Sequence, residues 1–91
     1  MPGDTVRRLY FRRPRWHTNL GEEVAEGLVL GVVIRREEIS LVVVQWEDGG
    51  VSRGEDLCFR KVSEEEATAL RMRPFNERSL DTERVWVPRA Q

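Results

Sequence analysis

The side chains with the most chemistry to offer lie in the first sixteen residues and around residue 86. Arg7, Arg8, Arg12, Arg13 and Arg15 are interleaved with Tyr10 and Trp16 in VRRLYFRRPRW. Guanidinium groups follow phosphates while aromatic rings stack on bases, so this spacing suits single-stranded nucleic acid. If all five arginines met phosphate, affinity would fall on the order of several hundred-fold between 50 and 200 mM salt. The competing expectation is that they pair with acids of the same molecule. Toward the other end, Val85, Trp86 and Val87 form an apolar triplet in a polar stretch, ended by Pro88. That composition suits an edge strand, which accepts a strand from a protein partner, from a second copy, or from residues 6–11 of its own sheet.

Nothing comparable supports catalysis. Cys58 is the only cysteine and His17 the only histidine. An intrachain disulfide is therefore impossible, and even a three-ligand zinc site would have to be completed with carboxylates. Cys58, within LCF, reads as a small buried hydrophobe. His17 follows Trp16 with no serine or cysteine beside it in sequence. The neighbours Glu47-Asp48 and Glu55-Asp56 point to opposite faces if they lie on strands, which is no arrangement for an acid/base pair. No phosphate loop, nucleotide fingerprint or nucleophile elbow occurs. The expectation is a protein that is not an enzyme and carries no metal and no cofactor.

The elements that must position these residues are bounded by length and charge. Ninety-one residues suit one domain, since a chain this short buries only about 60–65% of its unfolded surface. With 40% hydrophobic and 34% charged residues, the chain is apolar enough to fold alone. The formal charge of −1 is unevenly spread: residues 1–16 carry +4, residues 17–66 carry −7, and residues 67–91 carry +2. An acidic body with basic ends hints at an electrostatic partner. All the basic residues but Lys61 are arginine, which favours bidentate contacts. No apolar stretch approaches the ~18 residues of a membrane span, and MPGDTVRRLY lacks the apolar centre of a signal peptide. A cytoplasmic protein, or a soluble viral component, is expected.

Residues 6–11, VRRLYF, have strand character, as do GLVLGVVI (27–34) and ISLVVVQW (39–46), which the charged link RREE joins into a hairpin. Asp48-Gly49 is the strongest turn signal, and two solutions are open. A two-residue turn sets Trp46 opposite Val51, whereas a three-residue loop with a bulge uses Gly50 as well. Either way Val42, Val44 and Trp46 share a face, with Trp46 either in the core or at a contact surface. GEDLCFRKV reads as a turn and a short closing strand with Leu57 and Phe59 on one face. Ser63 followed by three glutamates opens a helix, with Ala67, Leu70 and Met72 packing and Pro74 as its limit.

The order GEEVAEGLVLGVV, ISLVVVQWEDGGVS, EDLCFRKV resembles small SH3-like barrels of the Tudor and KOW type over residues 20–62. Gly21 and Val24 match the first element of that pattern; Gly27, Val29 and Val32 the second; Val44, Trp46, Asp48 and Gly49 the third; Leu57 and Val62 the last. The resemblance implies an antiparallel SH3-like barrel; joined to the reading of the residues outside it, the expectation is a mainly β single domain with the core barrel at about 5–62, one short C-terminal helix at about 63–73 and an extended tail at 74–91. It implies a fold more than a task, since such barrels serve as RNA-, DNA-, polymerase- and peptide-binding modules and as inert structural parts. A methyl-lysine cage is not expected, because the pattern supplies Trp46 without further aromatics in the nearby loops. The expected function is therefore a non-catalytic adaptor that engages a protein partner or a larger assembly. Nucleic acid binding through the arginine-rich segment is the alternative, a homodimer is open, and membrane association is not expected.

Overall fold

One strand organises the chain. The computed structural model describes residues 2–10 and 21–88, and within them β2 runs from Gly21 to Arg36, sixteen residues long. Around it lie β1 (Thr5–Tyr10), β3 (Leu41–Trp46), β4 (Val51–Glu55), β5 (Phe59–Lys61) and β6 (Thr82–Pro88). All six strands belong to one antiparallel sheet with the path β4-β3-β2-β1-β5, and β6 also pairs with β2. The length of β2 makes this possible: its C-terminal half pairs with β3, as in Gly31 opposite Trp46. Its N-terminal half pairs with β6, from Gly21–Pro88 to Gly27–Thr82. β1 lies along the other edge of β2 and passes on to β5.

Both faces of β2 are covered around Leu28–Val33, while farther along the strand Val32 and Ile34 leave apolar surface exposed on one of them. Val33 joins Val6, Val42, Val44 and Trp46 in one core cluster, with Val29 and Phe59 packed against it. Leu28 and Leu30 join Val62, Ala67 and Leu70 in a second cluster on the opposite face, under α1 (Glu64–Arg71). The two-residue period of a strand sends alternate residues to the two clusters. Gly31 permits the closest approach in the first: a Cβ there would stand 2.5 Å from Val44 Cγ1 and 2.6 Å from Trp46 Cε3.

The Asp48-Gly49 hairpin takes the bulged solution. Trp46 N–H donates to Gly50 O and Gly49 N–H donates to Trp46 O, so Gln45 rather than Trp46 stands opposite Val51. Gly49 has φ +93°, and no non-glycine among the described residues has a positive φ. Glycine accepts that conformation without steric cost, so Asp48 keeps an ordinary backbone while its Oδ1 accepts from Gly50 N–H at 2.8 Å.

Several expectations need correction. Leu57 does not share a buried face with Phe59, because Asp56–Cys58 form a 3₁₀ turn that leaves Leu57 exposed while Phe59 turns inward. α1 is shorter than 63–73 and buries Ala67 and Leu70 but not Met72, which lies past its last turn. Ser63 caps it as expected, its Oγ accepting from Glu66 N–H. Residues 74–88 are not an extended tail: they form a second helical turn, α2 (Phe75–Arg78), and then β6. β6 pairs with β2, not with residues 6–11. Cys58 is half-buried.

Candidate functional site

Adjacent residues on a strand face opposite ways, and this separates the N-terminal arginines. Arg7 turns toward the cluster beneath α1 and is 2% exposed. Its Nε donates to Gly27 O at 2.7 Å, and its Nη groups meet Glu26 at 2.7 Å, Glu66 at 2.8 Å and Glu83 at 2.8 Å. Glu26, wholly buried, also takes Arg60 at 2.5 and 2.9 Å, and Arg60 reaches Glu66 as well. β1, β2, β5, β6 and α1 are thereby tied through one ionic cluster. The Arg60 guanidinium beside Glu26 has its pKa raised, and the Glu66 carboxyl is held below the usual range, first by Arg60 and then by Arg7. Four of the five N–H donors of Arg7 are thus directed at partners inside the fold.

Arg8 turns the other way. Its guanidinium lies 4.9 Å from the Trp46 ring centroid and 6.0 Å from that of Tyr10, and it donates to Ser52 Oγ. Trp46 Nε1–H donates to the same hydroxyl at 2.8 Å. Trp46 is 8% exposed, a core residue that offers only a ring edge to solvent, whereas Tyr10 is 46% exposed. These side chains bound a cavity of about 150 Å³, open to solvent, with Gly27 in its floor and Asp48 and Asp81 at its rim. That volume is below the ~300 Å³ at which small-molecule and cofactor sites begin and is of side-chain size. A Cβ on Gly27 would stand 3.3 Å from Tyr10 Cε2, so the glycine lets the phenol lie along the strand.

The two acidic walls of this cavity are fixed to each other. Arg78, 3% exposed, donates to Leu28 O at 3.0 Å and Arg73 O at 3.1 Å and pairs with Glu47. Glu47 Oε1 accepts from Leu30 N–H at 2.9 Å. Burial works against ionisation of Glu47, but Arg78 and the Leu30 amide prevail and hold its carboxyl below the usual range. Asp48 follows Glu47 in the hairpin, and Asp81 follows Arg78 by three residues. The Glu47–Arg78 pair thus ties the hairpin that carries Asp48 to α2, which precedes Asp81.

No protein-family model, curated protein or solved structure matches the chain. Function has to be read from these side chains themselves.

The second set of expected site residues lies in β6. Val85 stands opposite Val24 and is half-buried; Trp86 stands opposite Glu23 and is 55% exposed. Tyr10, Ala25 and Arg84 are cross-strand neighbours and share a face with Trp86. The fold thus brings Tyr10 and Trp86, 76 residues apart in sequence, to the same side of one sheet. Val87 pairs with Glu22, its side chain lying outside the described set, and Arg12, Arg13, Arg15, Trp16 and His17 lie outside the described residues. Among the described residues no group of three or more His, Cys, Asp or Glu side chains is placed to hold a metal ion, and no helix is long and apolar enough to cross a membrane.

Sequence reasoning missed Ser52, Glu26, Glu66, Glu83, Asp81 and Arg78. Glu26 left a signal: it falls in register with Val24, Leu28 and Leu30, and a carboxylate on a buried face requires a cation. Arg78, in a short polar stretch after Pro74, left none.

Proposed function

We propose that this chain is a non-catalytic binding module of SH3-like barrel form that holds a segment of a protein partner in the Arg8–Tyr10–Trp46 groove. The barrel reading is supported by the meander β4-β3-β2-β1-β5 and by the 3₁₀ turn before β5, together with the Gly, Val, Trp and Asp-Gly positions that resemble Tudor and KOW modules. The observation that carries the ligand reading is the rim: Asp48 and Asp81 flank a side-chain-sized cavity with an aromatic wall. Two carboxylates there repel a polyanion and favour a segment that seats an apolar side chain beside a basic one. Arg7 is excluded from the contact set by its burial, and Arg8 acts as part of the wall. The acidic body of the chain supports the same order, protein partner before nucleic acid.

Random peptides displayed on phage and selected against the full chain test this. Enriched sequences with a Lys or Arg next to an apolar residue are expected, with binding at least about tenfold weaker to Tyr10→Ala and Asp81→Ala, which corresponds to about 1.4 kcal/mol for each. Absence of enrichment, or peptides that bind both variants unchanged, overturns it. A labelled oligo(dT) that binds the chain with steep salt dependence moves the reading to nucleic acid, for which Tyr10, Arg84 and Trp86 on one face are the supporting observation.

A further inference from the structure

We propose that the open edge of β6 pairs with β6 of a second copy, antiparallel, with Val85 on the two-fold axis. This stands independently of the groove. Among the described residues β6 is paired on one side only, by β2, and its seven residues form the longest open edge, against five in β4 and three in β5. Open edges are ordinarily blunted by charged side chains, lysine above all, by an internal proline or by a bulge; the charges of β6 are Glu83, held by Arg7 of its own chain, and Arg84, which faces Ala25. β6 has no lysine, its register with β2 runs without interruption from Thr82 to Pro88, and its one proline is the terminal residue. It carries instead the exposed Trp86 and the half-buried Val85.

The edge is self-complementary in one register. With Val85 on the axis, Arg84 of each copy stands opposite Trp86 of the other. The row on that face then runs Tyr10, Ala25, Arg84 and, in the second copy, Trp86 and Glu23. A guanidinium is set beside an indole with a carboxylate next to it, while the small Ala25 leaves room on its own side. On the opposite face the row becomes Val24, Val85, Val85, Val24, which covers the part of Val85 that one chain leaves open. Shifting the axis to Arg84 sets that cation against its own copy, and shifting it to Trp86 shortens the pairing. Glu83 is already neutralised by Arg7 and adds no repulsion. The pairing also joins the exposed faces of both copies into one surface that bears two Tyr10 side chains and two grooves.

A seven-residue edge is small for an interface, so association in the micromolar range is expected. Sedimentation velocity of the full chain from about 1 to about 500 µM is expected to show a reversible monomer–dimer equilibrium. Trp86→Arg, which places like charges in both Arg84 pairs while facing Glu23 in its own chain, is expected to weaken the dimer at least tenfold with an unchanged circular dichroism spectrum. Arg84→Glu combined with Trp86→Arg sets opposite charges across the axis and is expected to restore it. As a geometric check, Val85→Cys on a Cys58→Ser background should form a disulfide-linked dimer with diamide as oxidant, since facing residues at such an axis have Cα atoms about 4.5–5.5 Å apart. A strict monomer at the highest concentration overturns the proposal. So does a dimer indifferent to Trp86→Arg.

Discussion

Replacing Arg7 by methionine removes a guanidinium that is 2% exposed and meets three carboxylates and one carbonyl. The side chain keeps most of its volume, so the loss is electrostatic rather than a cavity. Glu26 keeps Arg60 as a partner, which puts the cost at the low end of the about 3–5 kcal/mol typical of a broken buried pair. The Gly27 carbonyl loses its donor, adding about 1 kcal/mol. Glu83, half-exposed, returns to water at little cost. The total, about 4 kcal/mol, is a large part of the roughly 5–14 kcal/mol expected for a chain of this size. With a urea m-value of about 1.5 kcal/mol/M, the unfolding midpoint should fall by about 2–3 M. Arg7→Met combined with Glu26→Leu removes both charges, leaves the Arg60–Glu66 pair, and should recover most of the loss, because an apolar replacement of a whole buried pair is close to neutral. Urea titration followed by circular dichroism measures all four chains, Glu26→Leu alone included. An Arg7→Met variant that loses under about 1 kcal/mol, or a double variant as unstable as the sum of the singles, would refute the view that Arg7 and Glu26 stabilise the fold as a coupled buried pair.

Gly31→Ala should destabilise by about 1–3 kcal/mol through overpacking against Val44 and Trp46; an unchanged midpoint would mean that these side chains move aside freely. Gly49→Ala forces an L-residue to φ +93° and should cost about 1–2 kcal/mol by the same titration. The folded Glu66 and Glu47 carboxyls ionise below their ordinary value of 4.5. The unfolded chain therefore takes up protons first on acidification, so their contribution is complete above about pH 4.5 and is lost as pH falls through the folded values. Urea midpoints should hold steady from pH 7 to about pH 5 and drop below about pH 4.5, less steeply in Glu47→Gln; a midpoint level down to pH 3 contradicts this.

The alternation in LVVVQW and the Asp-Gly turn made the central hairpin legible, since period-two burial and a turn glycine are local signals. Which of the two turn solutions forms was not legible there, because both place Trp46 on the same face and differ only in the register of β3 against β4. The N-terminal half of β2 was read short because Glu22, Glu23 and Glu26 make GEEVAEG look polar, and Glu26 is tolerated only through Arg7 and Arg60, far off in sequence. The arginine-rich segment read as one patch, yet strand alternation splits Arg7 from Arg8 and gives them unrelated tasks. α2 was beyond reach: four residues carry no periodicity, and the burial of Arg78 depends on carbonyls of Leu28 and Arg73. The groove shares this character, for Asp48 and Asp81 meet only when β6 returns along β2.

The Arg7–Glu83 pair spans 76 positions. During synthesis Arg7 is made early and Glu83 among the last of the described residues, so a growing chain holds its buried guanidinium only partly matched until β6 emerges and docks. Closure of so long a loop is slow compared with hairpin formation. A nascent chain halted before Thr82 would leave without partners both the edge of β2 around Val24 and the Arg7 Nη2 that Glu83 takes in the complete sheet.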